Sequence, residues 1–380
     1  MALSGNLWPI HLKPKEDELL SSWLARSAEA FSMTIFNFFS AAFPEWDLWR
    51  HDIDSSADDS LLRFIAEKTG TLYERALAST FRPMEGLLYE SHKTTTQNLW
   101  IMPLSMVQIN IKRFTLQCCT SCLREDKVPF FRRAWRIAFV TVCCKHRCML
   151  RDRCHACGEP VNYCMTKPRG MLLTQCRQCG SDLREAPITS PEFDRPMWYQ
   201  RNLLSILRKG WANVPEYGPT YSHLYFNGLH TIMRMMATGR KAEKLRNHVV
   251  MVMEGKHPHF TGKQHFIEHL DVNDRYTLLG IAQWLFEDWP NRFIEVCKET
   301  GVYGYDIVQD MRGVPYWLRS VIHHHIFEPQ RRASDSEVEA VIRYLRNTNQ
   351  KISEWNVSKL IGIKNLFVNR KKKLSDFLVK

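Results

Sequence analysis

Four pairs of candidate metal ligands lie near the middle of this 380-residue chain: Cys119-Thr-Ser-Cys122, Cys143-Cys-Lys-His146, Cys154-His-Ala-Cys157 and Cys176-Arg-Gln-Cys179. Two residues separate the ligands of each pair, and eleven of the twelve cysteines fall between Cys118 and Cys179. Twenty residues separate the first pair from the second, and eighteen separate the third from the fourth. Two ligand pairs joined by a hairpin-sized segment are typical of a zinc ribbon. The spacing therefore predicts a tandem zinc-ribbon module.

The residue types predict two structural Zn²⁺ ions. The ligands of the first site are three cysteines and a histidine, namely Cys119, Cys122, Cys143 and His146. The ligands of the second site are four cysteines, namely Cys154, Cys157, Cys176 and Cys179. Four protein ligands complete a tetrahedral zinc site and leave no position for a reacting water. We therefore expect both ions to support the fold rather than to catalyse a reaction.

The residues around these pairs agree with a structural role. Gly158 and Gly180 directly follow two of the pairs, where a turn of this kind often needs a positive φ. The nearest glutamates, Glu125 and Glu159, have the context of ordinary surface residues. A zinc-dependent nuclease with a catalytic His146 is disfavoured, because no carboxylate cluster for a second metal accompanies this histidine.

Other interpretations of the cysteines remain open. Disulfide bonds require an oxidising compartment, and no signal peptide opens the sequence. A buried free thiol remains an alternative only for Cys118, Cys144, Cys148, Cys164 and Cys297, and a core histidine is an alternative at position 146. Cys118 and Cys144 adjoin ligand candidates, so the register is open by one residue at each place. Cys119 and Cys143 are preferred because they give the two-residue spacing.

Basic residues are concentrated in two parts of the chain, whose formal net charge is +12. Residues 1–117 contain 11 basic and 14 acidic residues, a net charge of −3. Residues 118–184 contain 13 and 5, a net charge of +8, and residues 331–380 contain 12 and 5, a net charge of +7. The two basic parts favour contact with a polyanion. No apolar run approaches the roughly 18 residues of a membrane span, so we expect no membrane partner.

Helical periodicity dominates outside the cysteine-rich segment. It predicts helices over Glu16–Phe31, Ser60–Lys68, Tyr73–Ser79, Trp198–Leu207, Tyr221–Ala237, Tyr276–Leu285 and Pro290–Glu299. Ser32 is expected to cap a second helix, which gives the N-terminal part a helix-turn-helix pattern. The apolar run Ile137–Val142 predicts a β-strand. The fold class is therefore mainly α with a small amount of β-structure.

The chain divides into four predicted domains. They are an N-terminal helical domain with a helix-turn-helix, the tandem zinc-ribbon module, a second helical domain, and a basic C-terminal helix-turn-helix, with the ranges 1–117, 118–185, 186–330 and 331–380. We expect the zinc ribbons to fix the helices on either side relative to each other. The run His323-His324-His325 is not a predicted metal site, because adjacent residues of a helix point in different directions.

The C-terminal part has the pattern of a helix-turn-helix. Ser334 and Glu337 form a capping-box pattern, and a helix over Ser353–Ile361 ends at Gly362. A further helix is expected from about Asn365. Partner or nucleic-acid contacts are predicted at ten residues of the two basic parts: Arg132, Arg133, Arg136, Lys359, Lys364, Asn369, Arg370, Lys371, Lys372 and Lys373.

Several stretches together carry a family resemblance. They are Glu18-Leu-Leu-Ser-Ser-Trp-Leu-Ala-Arg26, Arg50-His-Asp-Ile-Asp54, the run from Cys119 to Arg184 and, more loosely, Arg275 to Phe293. They resemble the TniQ family, the target-selection proteins of Tn7-like transposons, which includes TnsD. Cys144 departs from the family pattern, because relatives often have proline at this position.

The resemblance implies a non-catalytic adaptor. TniQ proteins link a target-recognising module to the AAA+ ATPase TnsC, which recruits the transposase. In the RNA-guided branch that module is a CRISPR Cascade complex with its guide RNA, and TniQ binds it as a homodimer. We expect this branch, near target DNA in the bacterial cytoplasm, because the chain lacks the large C-terminal extension typical of TnsD-type proteins.

A second function class is a TnsD-like protein that reads an attachment site directly. The predicted C-terminal helix-turn-helix and the basic run Lys371–Lys373 favour it. Sequence-specific DNA binding by the isolated protein would distinguish it from the adaptor, which delegates sequence recognition to guide–target pairing.

Overall fold

The computed structural model describes residues 6–48, 51–104, 114, 116–164, 172–192, 194–253, 260, 266–308, 311–326, 333–363, 366–368 and 372–378. The chain forms two compact units, Met1–Ile326 and Phe327–Lys380. Helices dominate both, and the predicted mainly α fold with little β-structure is confirmed. The domain boundaries predicted near residues 118 and 186 stay predictions, since both lie inside the first unit. Every helix in the described ranges is too short or too polar to cross a bilayer.

Five helices form the N-terminal part: α1 Leu20–Ala30, α2 Ile35–Ala42, α3 Ile53–Ser56, α4 Asp59–Thr69 and α5 Tyr73–Ala78. The limits of α4 follow from its sequence. The carboxylate of Asp58 accepts a hydrogen bond from the amide of Leu61 at 2.8 Å, and Gly70 ends the helix with a φ of 59°. Trp23 and Phe39 are buried in the core that these helices share.

The junction between α1 and α2 differs from the prediction. Ser32 ends α1 instead of capping α2: its φ is 55°, and the amide of Met33 donates to the carbonyl of Ala28 at 2.9 Å. This is a Schellman C-cap in which serine occupies the left-handed position that glycine usually takes. Thr34 caps α2 instead, since its hydroxyl accepts a hydrogen bond from the amide of Asn37 at 3.1 Å.

In its described residues, the cysteine-rich segment contains one short α-helix, the two 3-10 helices Arg133–Arg136 and Leu183–Glu185, and one short hairpin. The helix α6 covers Thr120–Glu125, and the strands β1 Val142–Cys143 and β2 Cys148–Met149 pair antiparallel. The strand predicted over Ile137–Val142 is wrong except at its last residue. The amide of Ala138 donates to the carbonyl of Trp100 at 2.7 Å, so the run is buried by loop partners instead of by a sheet.

Seven further helices and a hairpin complete the first unit. They are α7 Arg195–Lys209, β3 Trp211–Val214, β4 Gly218–Tyr221, α8 Ser222–Thr238, α9 Ala242–Val252, α10 Val272–Glu287, α11 Asn291–Thr300, α12 Gly304–Ile307 and α13 Tyr316–Val321. The π-helical segment Ile322–Ile326 follows and contains the three consecutive histidines. The predicted helices of this part are all present, each within four residues of its predicted ends.

The core of this helical part brings α8 and α13 very close together. The indole of Trp317 lies where a side chain on Gly228 would be, and its Nε1 donates to the carbonyl of Leu224 at 3.3 Å. Met233 and Met236 are fully buried, as expected of core residues. Only glycine at position 228 permits this contact.

The second unit has its own small core. It contains α14 Asp335–Asn347, α15 Glu354–Ile361 and α16 Leu374–Leu378, and the predicted capping box of Ser334 is present. Val338, Ile342 and Phe367 are buried in this core. The helix expected from Asn365 is wrong where it is described, because residues 366–368 form a turn.

Candidate metal centres

The first cluster of ligands is built on α6 and on the β1–β2 hairpin. Cys119 is the N-cap residue of α6, and its Sγ accepts a hydrogen bond from the amide of Cys122 at 3.4 Å. Cys143 ends β1 and His146 lies in the turn to β2. The amide of Arg147 closes this turn on the carbonyl of Cys143 at 2.7 Å. The two local structures thus present two ligands each.

The four side chains of the first cluster have the dimensions of a tetrahedral metal site. Their ligand atoms, Sγ of Cys119, Cys122 and Cys143 and Nδ1 of His146, lie within 4.8 Å of one another. Nδ1 is 3.3, 3.3 and 3.5 Å from the three sulfurs, and the sulfurs of Cys122 and Cys143 are 3.7 Å apart. Zinc bonds of about 2.3 Å to sulfur and 2.0 Å to nitrogen give tetrahedral edges of about 3.8 and 3.6 Å. The donors therefore fit a tetrahedral ion.

Glu125 lies beside Nε2 of His146, the ring nitrogen that does not face the three sulfurs. Its Oε1 lies 3.0 Å from Nε2 of His146, and its Oε2 lies 2.6 Å from Nζ of Lys145. Lys145 and His146 lower the pKa of the Glu125 carboxyl. A metal-binding histidine commonly donates its second ring N–H to a carboxylate, which fixes the tautomer. Nε2 of His146 has no hydrogen bond of good geometry with the described residues, so Glu125 is an exposed surface residue beside the first cluster, as the sequence predicted, and a candidate partner of His146.

The two cysteines adjacent to ligand candidates lie elsewhere. Cys118 is fully buried, and burial raises the pKa of its thiol far above the ordinary value. The sulfur of Cys144 accepts a hydrogen bond from Nε2 of Gln200 at 3.4 Å. The cluster contains Cys119 and Cys143, the positions that the two-residue spacing had favoured.

Cys148 is a further thiol beside the first cluster. Its Sγ lies 3.6 Å from that of Cys119, and the residue is buried. The hairpin register, which pairs Cys143 with Cys148, brings it there. Sequence reasoning had left Cys148 as a free thiol, and only the antiparallel pairing of these residues signals its position.

The second cluster is formed by four cysteines on two similar turns. Their sulfurs lie within 4.8 Å of one another, at Cys154, Cys157, Cys176 and Cys179. The Cys154–Cys179 and Cys157–Cys176 sulfur pairs are both 3.6 Å apart, close to the edge of a tetrahedral Zn–S₄ site. Cys157 and Cys179 are exposed, whereas the other two are buried. The structure thus brings all eight predicted ligands together in two groups of four.

The turns of the second cluster have equivalent backbone geometry. Gly158 donates its amide to the carbonyl of Cys154 at 3.1 Å, and Gly180 donates to that of Cys176 at 2.8 Å. The two glycines have φ values of 73° and 77°, as the sequence predicted. Isolated β-bridges, Arg153 with Pro160 and Gln175 with Asp182, flank the two turns. An ion pair between Arg177 and Glu159 joins one turn to the other.

A direct hydrogen bond connects the two clusters. Arg124, on α6 beside the first cluster, donates from Nη2 to the carbonyl of Arg184 at 2.7 Å. Arg184 follows the last turn of the second cluster, where its guanidinium pairs with Asp182 at 2.6 Å. The two candidate ribbons therefore lie against each other as one module.

Buried polar contacts connect this module to the N-terminal helices. Tyr163 shares a hydrogen bond of 2.7 Å with Ser21 of α1, whose hydroxyl donates to Asp54 at 2.7 Å. The guanidinium of Arg136 lies 2.6 Å from the same carboxylate and also pairs with Asp52. Burial raises the pKa of Asp54 to about 6 despite the opposing effect of Arg136. The two aspartates of the Arg50–Asp54 stretch thus have structural partners.

The Glu18–Arg26 stretch has a similar structural role. Arg26 forms a bidentate, buried pair with Glu18, at 2.7 and 2.6 Å. Ser22 donates its hydroxyl to Glu18 at 3.0 Å and accepts a hydrogen bond from the amide of Phe131 at 2.9 Å. The stretch therefore connects α1 to the segment between α6 and Cys143.

Other buried contacts connect the module to the helices that follow it. Asp152, between the clusters, accepts a hydrogen bond from the amide of Val272 at the start of α10, at 2.7 Å. Gln200 of α7 accepts hydrogen bonds from the amides of Thr141 and Val142 at 2.7 and 3.1 Å. Arg275 of α10 donates to the carbonyl of Ala138 at 2.7 Å. The module thus contacts helices on both of its sides.

The three arginines predicted as contact residues near the clusters have internal partners. Arg136 is 0% exposed and pairs with Asp52 and Asp54 inside the protein, so its guanidinium has no surface for a partner in this structure. Arg132 forms a two-bond pair with Asp126 at 2.9 and 3.1 Å. Arg133 donates to the carbonyl of Ala78 at 2.8 Å. Both are partly exposed, and their predicted contact role is untested.

The predicted contact residues of the second unit are partly described. Lys359, Lys372 and Lys373 are exposed, and the ammonium group of Lys359 lies 4.8 Å from the ring centre of exposed Trp355. Lys372 pairs with Asp335 at 2.6 Å. The remaining four, Lys364, Asn369, Arg370 and Lys371, lie outside the described residues.

The fold and the two clusters define a helical protein organised around paired cysteine-rich metal centres. Residues 9–150 match the model of the TniQ family, a segment that includes the N-terminal helices and the first cluster. The match supports the resemblance to the TniQ family that the sequence predicted, over this segment. No curated protein sequence matched the chain. The TniQ match supports a role in selecting targets for transposition.

Proposed function

We propose that this protein is a non-catalytic adaptor that selects targets for an RNA-guided transposon. It binds a CRISPR Cascade complex with its guide RNA and recruits the AAA+ ATPase TnsC, and through it the transposase, to target DNA. The observation that carries the proposal is the match to the TniQ family over residues 9–150. A homodimer in the bacterial cytoplasm is part of the same proposal.

The metal in both clusters is proposed to be zinc. The three-cysteine, one-histidine set and the four-cysteine set are the donor sets of structural zinc sites, and the distances between donors match that ion. Each set supplies four protein ligands, so neither ion has a position for a reacting water. The ions close the turns that carry the ligands and act on folding rather than on chemistry.

The position of the clusters explains why an adaptor would need them. Their module makes buried contacts with α1 on one side and with α7 and α10 on the other. A partner that binds the N-terminal helices and another that binds the later helices would thereby be held at a defined separation. Loss of either ion would change the positions of the N-terminal helices relative to α7 and α10, while the surface of each helix stayed the same.

Co-purification tests the adaptor. A tagged copy of the protein is expressed with Cascade and a guide RNA and is then purified. The eluate is examined for Cascade and for the guide RNA, and also for TnsC, which is added together with ATP. We expect stable co-elution with Cascade and only weak, salt-sensitive DNA binding by the protein alone. Absence of co-elution, together with tight binding to one DNA sequence, would overturn the RNA-guided assignment.

A TnsD-like DNA-binding protein is the second candidate. It is favoured by the second compact unit, which has exposed Lys359 and Trp355 on α15 and lies in the segment of net charge +7. A gel shift against a pool of genomic fragments separates the candidates. Selection of one fragment that persists at physiological salt supports the TnsD-like protein, whereas binding without sequence preference supports the adaptor.

A further inference from the structure

A large cleft of the described structure lies away from both metal clusters. It has a volume of about 1010 Å³ and is formed by α8, α12 and the loop before α6 that contains residues 93–99. Its floor is one face of α8, on which polar side chains recur at the three- and four-residue spacing of a helix. These residues are Asn227, His230, Thr231, Arg234 and Thr238.

Three positively charged residues line the cleft and form no ion pair within the described part of the chain. Lys93, Arg234 and Arg240 are exposed, and no carboxylate among the described residues pairs with them. The two acidic residues of the lining are already partnered: Glu268 lies 2.8 Å from Nε2 of His230, and Asp306 lies 3.1 Å from Nζ of Lys241. The cleft therefore has an excess of positive charge, which favours an anionic ligand.

Two exposed aromatic rings stand beside these charges. Phe266 and Tyr305 line the cleft and are each 55% exposed. The guanidinium of Arg240 lies 5.9 Å from the ring centre of Tyr305. The ring of Tyr305 stacks on that of Tyr303, with centres 5.8 Å apart, and the ring centre of Phe266 lies 5.3 Å from that of His269.

We propose that this cleft binds a single strand of nucleic acid. Cations that follow the backbone, combined with open rings on which bases stack, are the features with which proteins bind single strands without sequence preference. A cleft of about 1010 Å³ has room for a few nucleotides. An acidic peptide would use the three cations but would leave Phe266 and Tyr305 without a function.

The binding itself does not depend on the proposed function, whereas the source of the strand does. In an RNA-guided adaptor the strand is either guide RNA or the DNA strand displaced by guide pairing. Both present phosphodiesters and unpaired bases. An oligo-uridine and an oligo-thymidine distinguish the two sources.

Fluorescence anisotropy with the full-length protein tests the proposal. The probes are labelled oligo-uridine and oligo-thymidine of about 12 nucleotides, titrated over about 50 to 200 mM salt. The cleft variant is Arg234→Ala with Arg240→Ala. Its matched control is Arg208→Ala with Arg319→Ala, which removes two exposed guanidinium groups outside the cleft.

We expect the cleft variant to weaken binding and to reduce the slope of log K against log salt by about 1.4, since each lost contact with a single strand removes about 0.7. The control should keep the wild-type slope. Tyr305→Ala should weaken binding at least about five-fold, and Tyr305→Phe should retain it, because the ring is what stacks. Unchanged metal content in each variant excludes misfolding as the cause.

Several results would overturn the proposal. They are equal slopes for the cleft variant and its control, competition by duplex as strong as by single strand, and displacement of the probe by poly-glutamate at lower concentration than by unlabelled oligonucleotide. Co-elution with Cascade by a protein that binds neither probe would overturn the cleft proposal and leave the adaptor intact.

Discussion

Two adjacent cysteines, Cys118 and Cys119, have opposite surroundings. Cys119 faces the other three ligands of the first cluster, whereas Cys118 is a buried thiol outside it. We predict that Cys119→Ala removes one of two bound metal equivalents and that Cys118→Ala keeps both. Mass spectrometry of the native protein, or elemental analysis, counts the ions. Loss of metal from Cys118→Ala with retention in Cys119→Ala would contradict the ligand register.

The carboxylate of Glu125 beside His146 gives a second prediction. It lies 3.0 Å from Nε2 of His146, and loss of a carboxylate partner of a metal-binding histidine typically weakens metal binding about 10- to 100-fold. We expect Glu125→Ala to release one ion to a competing chelator at correspondingly lower concentration. Glu185→Ala, which removes an exposed carboxylate, is the control. Equal chelator resistance of the two variants would show that Glu125 does not support the site.

Arg136 tests the buried contacts between the module and the N-terminal helices. Its replacement leaves Asp54 buried without its cation, a change that costs about 3–5 kcal/mol. We expect Arg136→Leu to lower the free energy of unfolding by this amount in urea denaturation. Lys127→Ala, at an exposed position, should change it by less than about 0.5 kcal/mol. A small effect of Arg136→Leu would mean that the pair is dispensable.

At the scale of elements, the turns of the second cluster depend on glycine. Gly158 and Gly180 have positive φ, and a Cβ at either position would meet no neighbouring atom. Gly158→Ala and Gly180→Ala should therefore each cost about 1–2 kcal/mol through backbone strain alone. Gly313→Ala is the matched control, since that glycine is equally open but lacks positive φ. Thermal unfolding of the metal-bound proteins measures the difference.

Local signals in the sequence predicted most helices and all eight clustered ligands. The Ser334 capping box and the glycine stops at Gly70 and Gly362 are decided within a few residues, so the sequence contains them in full. The two-residue ligand spacing is equally local. Ser32 was mistaken for a cap because a serine in the left-handed C-cap position has no distinct sequence signal.

Features that depend on distant residues escaped prediction. The apolar run Ile137–Val142 has the composition of a strand, but its backbone groups bond to Trp100 and Gln200, which are far away in sequence. Arg136 reads as a surface cation, because its partner Asp54 lies 82 residues earlier. The cleft was missed for the same reason, since its lining comes from segments between residues 93 and 314.

In the whole molecule, the two compact units should unfold separately, and metal removal should destabilise only the first unit. The second unit has its own core and none of the clustered ligands. We predict that a chelator lowers the melting temperature of Met1–Ile326 and leaves the transition of Phe327–Lys380 unchanged. Limited proteolysis after chelation, followed by mass spectrometry, should recover the second unit intact. Degradation of both units together would contradict this independence.

Mapping of insertions tests the proposed selection of targets under RNA guidance. The transposon is mobilised in cells that contain this protein, Cascade and TnsC, first with one guide and then with a guide to another locus, and insertion sites are sequenced. We predict that the insertions move with the guide and disappear in the Cys119→Ala variant. Insertions that stay at one genomic site whatever the guide would contradict it and would assign target recognition to the protein itself.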